Sequence, residues 1–203
     1  MLSWFTTSST PSAGETPTRT WLAYGSSITF GANTLHPTNA YVQHAAYRLG
    51  VDVINKGLPG SCLCEPAMAE WFATSVDWDF ATFELGVNLA ELATPAEFEA
   101  RVRALLATVH HAQPDRPIYV INIFPNRADH LLDRQAVAAV NTPRFNLIVR
   151  DLVAELNHPA VRFIDGREIL AGYSALHTDL VHPSDEGHLE IGANLAARLA
   201  ADV

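Results

Sequence analysis

The sequence alternates between short apolar runs and longer stretches in which apolar residues recur at helical spacing. Short apolar runs bounded by turn residues are typical of buried strands, whereas the longer periodic stretches are typical of amphipathic helices. The apolar runs cover residues 21–24, 51–54, 80–85, 118–123 and 161–164. Because strands and helices alternate along the chain, the pattern predicts an α/β protein whose parallel sheet is covered by helices on both faces.

The helical stretches carry recognisable start and stop signals. Thr94-Pro95-Ala96-Glu97 reads as a capping box with proline at the first helical position, and Gly50 suits the position after a helix end. Pro143 is expected to break or kink the helical pattern that resumes near Asp133. The predicted helices lie at residues 39–49, 65–74, 94–109, 133–156 and from residue 184 onward.

The first eighteen residues differ in composition from the rest of the chain. Ser, Thr, Pro and Gly dominate there, as in the segment Thr6–Ser12. Such a composition predicts a flexible lead-in at residues 1–18, followed by a single domain at residues 19–203. Trp4 and Phe5 are the exceptions in the lead-in, and they are candidates for docking on the domain or on a partner.

Composition and charge exclude several classes of protein. The 203 residues are 48% hydrophobic and 17% charged, which is ordinary for a folded globular domain. A formal net charge of -9 argues against a nucleic-acid-binding or anionic-membrane surface. No apolar run is long enough to span a membrane, and no signal peptide is visible, so the cytoplasm is the default location. Cys62 and Cys64 are separated by one residue, so a bridge between them would be strained and none is expected.

Five chemically suggestive residues fall at loops that a parallel sheet brings to one edge. Ser27 follows the first predicted strand, Gly60 the second and Asn88 the third, while Asp179 and His182 lie in the last loop before the final helix. In open α/β sheets, ligands bind outside the carboxyl ends of the strands. We therefore expect these five residues to meet at one site.

These residue types meet the requirements of acyl transfer. The reaction needs a nucleophile, a base, a group that orients the base, and donors for the developing oxyanion. Ser27 can be the nucleophile, His182 the base because an unperturbed imidazole has a pKa of about 6.5, and Asp179 the orienting group. The backbone N–H groups of Ser27 and Gly60 and the side-chain amide of Asn88 can form the oxyanion hole.

At these positions the chain resembles the SGNH hydrolases, also called GDSL esterases and lipases. The blocks that carry the resemblance are Gly25-Ser26-Ser27-Ile28-Thr29, Gly60, Gly86-Val87-Asn88 and Asp179-Leu180-Val181-His182, in the family's order. The resemblance runs from about residue 21 to the end of the chain. It implies a three-layer α/β/α sandwich with a five-stranded parallel sheet of the flavodoxin-like type. It also implies a small-molecule ester substrate and neither a metal nor an organic cofactor.

Two positions depart from the family's pattern. Ser26 stands where the family usually has Asp, and Leu89 replaces the Asp after the oxyanion Asn. The Gly-Ser-Ser-Ile-Thr block resembles a recognised branch, so an active enzyme is still expected. The family includes carbohydrate acetylesterases, arylesterases, thioesterases and lysophospholipases. No long apolar insertion follows the catalytic loops, so we expect short-chain esters, acetyl esters above all, to be preferred. The sequence is compatible with either a monomer or a homo-oligomer.

Other interpretations of the same residues stay open at this point. A thioesterase or lysophospholipase activity is the alternative to a short-chain esterase, and a non-catalytic carbohydrate- or lipid-binding module on the same fold is another. His177, Asp179, His182 and His188 could instead hold a metal in a metal-dependent hydrolase. Glu84, a charged residue in a buried strand, is expected to be a satisfied structural carboxylate, with a catalytic role as the minor alternative.

Overall fold

The computed structural model describes residues 16–201, which fold around a five-stranded parallel sheet. The strands are β1 (Thr20–Gly25), β2 (Asp52–Gly57), β3 (Phe80–Glu84), β4 (Ile118–Ile121) and β5 (Val161–Ile164). Their order in the sheet is β2-β1-β3-β4-β5. This is the flavodoxin-like order, so the predicted fold class is confirmed. Most of the predicted lead-in, with Trp4 and Phe5, lies outside the described residues.

Helices cover both faces of the sheet. Those in the described part of the chain are α1 (Ser27–Phe30), α2 (Tyr41–Leu49), α3 (Pro66–Thr74), α4 (Pro95–Ala112), α5 (Val137–Leu156), α6 (Gly166–Ile169) and α7 (Asp185–Leu199). Short 3-10 helices at Pro37–Asn39, Arg127–His130 and Tyr173–Ala175 lie in the loops. Helices α3, α4 and α5 contribute to one apolar core, and α2 and α7 contribute to the other, which completes the three layers.

The side chains of β1 alternate between the two cores. Leu22 and Tyr24 belong to the core under α3, α4 and α5, whereas Trp21 and Ala23 belong to the core under α2 and α7. The alternation follows from the two-residue period of a strand. All four side chains are fully buried, so the strand that leads to Ser27 is enclosed on both faces.

Local sequence signals predicted several element ends correctly. The capping box at α4 is present, with the Glu97 N–H donating to Thr94 Oγ1 at 3.3 Å and the Thr94 N–H donating to Glu97 Oε2 at 2.8 Å. Gly50 follows α2 with a φ of 67°, as a helix C-terminal glycine should. The strand predicted at residues 51–54 is longer, because pairing with β1 continues to Gly57 opposite Gly25.

Pro143 does not break α5, so of the break or kink predicted there, the break is excluded. The helix runs for 20 residues from Val137 to Leu156 with Pro143 inside it. Proline removes one backbone hydrogen bond and disfavours the preceding turn, but tertiary contacts hold both halves. Before the proline, the Asn141 side chain donates to the backbone carbonyls of Ala90 and Ala93. After it, a row of buried apolar residues packs on the core, namely Phe145, Val149, Leu152 and Val153.

The one-turn helix α1 is fixed against the end of β2. A Cβ on Gly57 would lie 2.1 Å from the Phe30 backbone nitrogen, so only glycine allows this approach. Asn55 ties the same two elements together, because its side-chain amide donates to the Thr29 carbonyl at 3.0 Å. Gly31 ends the turn with a φ of 94°. The sequence therefore holds the first turn after β1 at a defined position on the sheet edge.

Two further findings concern the whole of the described chain. Cys62 and Cys64 are both buried and both free thiols. Within residues 16–201, no helix is both long enough and apolar enough to cross a membrane.

Candidate active site

The two adjacent serines after β1 point in opposite directions. Ser26 is the N-cap of α1, is fully buried, and donates its hydroxyl to Glu84 Oε2 at 2.7 Å. Ser27 is the first residue of α1, and its Oγ lies 2.7 Å from His182 Nε2. Successive residues at a strand end project to opposite sides, so one hydroxyl faces the core and the other faces the histidine. The geometry thus separates two residues that composition cannot distinguish.

His182 is connected to Asp179 on its other ring nitrogen. Asp179 Oδ2 lies 2.6 Å from His182 Nδ1. Asp179 Oδ1 accepts hydrogen bonds from the backbone N–H groups of Val181 at 2.9 Å and His182 at 3.0 Å. Asn33 Nδ2 donates to Asp179 Oδ2 at 3.2 Å from the loop after α1. The carboxylate is therefore oriented by its own loop and by one side chain from the loop that follows Ser27 and α1.

The charge on Asp179 determines the tautomer of His182. Partial burial raises the pKa of Asp179, but the hydrogen bonds from the His182 ring and from the His182 and Val181 backbone outweigh it and lower the pKa to about 2. An ionised carboxylate can only accept hydrogen bonds, so Nδ1 of His182 carries its proton toward Asp179. In the neutral ring Nε2 is then an acceptor, and it faces the hydroxyl of Ser27.

The residues predicted to bind an oxyanion surround the same cavity. Ser27, Gly60, Asn88 and His182 all line a cavity of about 540 Å³. Neither the Ser27 nor the Gly60 backbone N–H has a hydrogen-bond acceptor among residues 16–201. Gly60 has a φ of 68°, and a Cβ built on it would meet nothing within 4 Å, so backbone conformation rather than crowding accounts for the glycine.

The amide of Asn88 is oriented by the loop that follows β2. Asn88 Oδ1 accepts a hydrogen bond from the Cys62 backbone N–H at 3.1 Å. Because the oxygen is held in this way, the Nδ2 donor is left for a ligand in the cavity. The structure therefore brings Ser27, Asn88 and Gly60 to one cavity from the ends of three neighbouring strands, as the sequence predicts. Their catalytic roles remain predictions.

The rest of the cavity wall was not identified from the sequence. Most of it is apolar, with small or medium side chains from Ala32, Pro59, Val87, Ala90, Leu92, Ala128, Ala138 and Val181. Glu91 and Arg127 also line it and form an exposed ion pair at 3.7 Å. Val87 and Val181 stand within the sequence blocks described above, and Ala32 and Pro59 lie in the loops after α1 and β2. No motif marks the wall residues in the loops after β3 and β4 and at the start of α5, which include Ala90, Glu91, Leu92, Arg127, Ala128 and Ala138. Only their placement after strand ends could have indicated them.

Glu84 contacts the turn that carries Ser27. Its Oε2 accepts hydrogen bonds from the Ser26 N–H, the Ser26 hydroxyl and the Thr29 hydroxyl, at 2.7, 2.7 and 3.2 Å. Its other oxygen, Oε1, is buried with no partner within residues 16–201. The prediction of a satisfied structural carboxylate is therefore only half right, because one oxygen has three donors and the other has none.

The four residues considered as a metal site are engaged elsewhere. Asp179 and His182 bond to each other, and His177 Nδ1 lies 3.2 Å from Thr178 Oγ1. His188 is fully buried, and its Nδ1 accepts the Tyr41 backbone N–H at 3.2 Å. Burial lowers the pKa of His188 to about 4. In the described chain, no cluster of three or more His, Cys, Asp or Glu side chains is arranged to hold a metal ion.

Comparison with protein families and solved structures gives one consistent relationship. The model of the GDSL-like lipase/acylhydrolase family matches residues 23–189. No curated protein sequence matches the chain. A structure described as a GDSL-like lipase from Bacteroides ovatus superposes with a TM-score of 0.79 and 26% identity, covering 91% of this chain and 53% of that one. The chain thus spans about half the length of that protein.

Two other similar structures are of nearly the same length as this chain. A carbohydrate acetylesterase from Sinorhizobium meliloti has a TM-score of 0.69 and 19% identity, over 90% of this chain and 99% of that one. An inhibitor-bound aryl esterase from M. smegmatis has a TM-score of 0.68 and 17% identity, over 91% of this chain and 100% of that one. At these identities the likeness is one of fold.

Proposed function

The chain belongs to the GDSL-like lipase/acylhydrolase family of carboxylic ester hydrolases, and from that premise we propose that it hydrolyses short-chain esters through Ser27, His182 and Asp179. The observation that carries the proposal is the unbroken hydrogen-bonded series from Asp179 Oδ2 to His182 Nδ1 at 2.6 Å and from His182 Nε2 to Ser27 Oγ at 2.7 Å. Such a series supplies a nucleophile, a base and an orienting carboxylate at once.

In the acylation step, the Ser27 oxygen attacks the ester carbonyl carbon while His182 Nε2 takes the hydroxyl proton. The carboxylate of Asp179 holds the Nδ1 proton and stabilises the imidazolium that forms. The carbonyl oxygen becomes an oxyanion, which accepts hydrogen bonds from the Ser27 and Gly60 N–H groups and from Asn88 Nδ2. The bond to the alcohol oxygen then breaks, and His182 donates its proton to that oxygen.

Deacylation repeats the same proton transfers with water in place of the serine. His182 removes a proton from water as its oxygen attacks the acyl carbon, and the oxyanion binds at the same donors. When the tetrahedral intermediate collapses, the imidazolium returns its proton to the Ser27 oxygen. The products are a carboxylic acid, an alcohol and the free enzyme.

We propose acetyl and other short acyl groups as the acid half of the substrate, with a carbohydrate as one alcohol half to be tested. The carbohydrate acetylesterase from Sinorhizobium meliloti supports this choice only as an analogy, because the two proteins share a fold of nearly equal length. The exposed Glu91–Arg127 pair at the cavity could hydrogen-bond to a polar alcohol half.

The apolar cavity wall favours a second candidate, an acyl or aryl ester with a larger apolar group. Leu92 lines the cavity and is 70% exposed, so an apolar substrate group would cover it. A cavity of about 540 Å³ lies within the size range of small-molecule sites. A thioesterase or lysophospholipase would use this wall, whereas an acetylesterase would leave most of it to the alcohol half.

A hydrolysis series over nitrophenyl esters and sugar acetates distinguishes the two candidates. We expect kcat/KM to be highest for acetyl or propionyl esters. After treatment with an organophosphate, we expect the intact mass to show an adduct, which peptide mapping places on Ser27. A preference for acyl chains of about ten carbons would transfer the assignment to the second candidate. A protein that hydrolyses no ester and forms no adduct would instead be a binding module.

A further inference from the structure

Glu84 is a buried carboxylate whose environment is unlike that of the other acidic residues. It is the last residue of β3, its side chain is 1% exposed, and among residues 16–201 no other Asp or Glu is buried. Its hydrogen-bond donors are the neutral groups of Ser26 and Thr29. Burying a carboxylate without a cation costs free energy. The position of Glu84 beneath residues 25–29, here called the nucleophile turn, therefore calls for an explanation.

The hydrogen bonds of Glu84 fall on both sides of Ser27. Oε2 receives the N–H and the hydroxyl of Ser26, the residue before Ser27, and the hydroxyl of Thr29, two residues after it. The Ser26 oxygen in turn accepts the Ile28 N–H at 3.1 Å and so caps α1. One carboxylate oxygen therefore holds the backbone before Ser27 and the first turn after it.

The space for this arrangement exists because residue 25 is glycine. A Cβ on Gly25 would lie 2.1 Å from Thr29 Oγ1 and 2.7 Å from Glu84 Oε2. Thr29 Oγ1 also lies 2.7 Å from the hydroxyl of Tyr41, which is fully buried on α2. The network therefore connects β3, the turn at residues 25–29 and α2, and its hydrogen bonds restrain rotation of that turn about Ser26.

We propose that Glu84 is a positioning residue for the hydrolytic reaction, which through Ser26 and Thr29 holds the Ser27 hydroxyl and N–H in the direction of His182 and the cavity. The inference rests on the proposed function, because it assigns Glu84 a role in the reactivity of Ser27. Glu84 is not among the residues that line the cavity. It acts on the reaction through the turn.

The charge of Glu84 adds an electrostatic contribution. Burial raises the pKa of Glu84 to about 7, against the opposing effect of its hydrogen bonds with Ser26 and Thr29. The titratable groups that face it are Tyr41 on α2, Cys62 and Cys64 after β2, and His182. Burial raises the pKa of the tyrosine and of both thiols, so these stay neutral. His182 is the one that becomes a cation during the reaction, and ionised Glu84 stabilises it.

Glu84→Gln tests the proposal, with Thr82→Val as the matched control. Glutamine keeps the shape of the side chain but removes its negative charge. It also places an NH₂ group, a hydrogen-bond donor, where one of the two carboxylate oxygens was. Thr82 is also fully buried on β3, but it accepts a hydrogen bond from Trp21 Nε1 at 3.0 Å and does not contact the nucleophile turn. Both variants should lose some stability, so the assay compares kcat per folded molecule.

We expect Glu84→Gln to lower kcat by on the order of tenfold or more with KM within about twofold, as for groups that orient a catalytic residue. Thr82→Val should change neither. In the double variant Glu84→Gln/Ser26→Ala, the loss should be much smaller than the product of the single losses, because both act through the same bond.

Labelling of Ser27 by an organophosphate tests the proposed function and the role of Glu84 separately. A wild-type protein without a Ser27 adduct overturns the proposed function and this inference with it. An adduct that forms equally fast in wild type, Thr82→Val and Glu84→Gln overturns this inference alone. If Glu84→Gln does not fold, Thr29→Val removes one of the donors to Oε2 at nearly constant volume, and unchanged kcat and labelling rate in that variant contradict the proposal.

Discussion

The two carboxylates closest to the Ser27–His182 pair contrast in almost every physical respect. Glu84 is buried in the sheet, its partners lie 55 to 58 residues away in sequence, and burial raises its pKa to about 7. Asp179 lies in an exposed loop, bonds mainly to residues two and three positions away, and has a pKa of about 2. One carboxylate is held by the core and the other by its own loop.

This contrast indicates that Ser27 and His182, the proposed nucleophile and base, are positioned by different means. The direction of Ser27 depends on long-range contacts within the core, so changes there should affect activity and folding together. The direction of His182 depends on the loop, where His177 N–H also donates to the His182 carbonyl at 2.7 Å. Changes in that loop should therefore affect activity with little effect on folding.

The largest effect on kcat is expected for Ser27→Ala, because the Ser27 hydroxyl is the group that His182 faces. Removing the nucleophile should lower kcat by more than about 10⁴-fold, while Ser26→Ala, which loses a supporting hydrogen bond, should cost far less. The measurement is kcat in both variants, with the intact mass after organophosphate treatment. An adduct on Ser26, or full activity in Ser27→Ala, would contradict the assignment.

Asp179→Asn changes only the exposed loop that orients His182, and it leaves the buried contacts of Glu84 intact. The amide cannot hold the Nδ1 proton as a carboxylate does, so kcat should fall by about 10² to 10⁴-fold. The unfolding midpoint in urea should fall only slightly, because the loop is exposed and partial exposure weakens the stabilising contribution of the Asp179 charge. A large loss of stability in Asp179→Asn would show that this loop is part of the folding core after all.

Asn88→Ala removes one oxyanion donor and should lower kcat by about 10² to 10³-fold. The Cys62 N–H that bonds to Asn88 Oδ1 loses its acceptor, so a modest loss of stability is also expected. Steady-state kinetics with an acetyl ester measures the first effect and urea denaturation the second. An Asn88→Ala enzyme with wild-type kcat would remove Asn88 from the oxyanion hole.

The smallest expected effect is on stability against pH, where the two carboxylates should have opposite signs. Glu84 binds its proton more tightly in the folded state, so its contribution to stability declines as pH rises from about 4.5 to 7. Asp179 binds its proton less tightly when folded, so its contribution is lost as pH falls from about 4 toward 2, and partial exposure of its side chain weakens it.

Urea denaturation at pH 5 and pH 8 tests the sign for Glu84. The free energy of unfolding of Glu84→Gln, relative to wild type, should be higher at pH 8 than at pH 5, because the variant has no charge to bury. Equal differences at the two pH values would show that Glu84 has the same pKa in the folded and unfolded states.

Signals that reside in a few neighbouring residues were predicted well. The α4 capping box, the glycine after α2 and the start of α7 next to residue 184 each depend on contacts within one turn, so the local sequence contains what is needed. The parallel sheet was predicted because buried strands require apolar runs. The five candidate site residues could be proposed because strand ends of a parallel sheet converge at one edge.

Contacts between distant segments decided the rest. The sequence of α5 contains a helix breaker, and only packing and the Asn141 bonds to the loop before α4 show why the helix continues through Pro143. The sequence marks Glu84 as a charge in a buried strand, but its partners Ser26 and Thr29 become neighbours only when β3 pairs with β1. By itself the sequence determined which residue types reach the sheet edge, because that follows from periodicity and turn chemistry. What holds Ser27 toward His182 was decided by the tertiary structure, because directions and hydrogen bonds across tens of residues exist only after the sheet has formed.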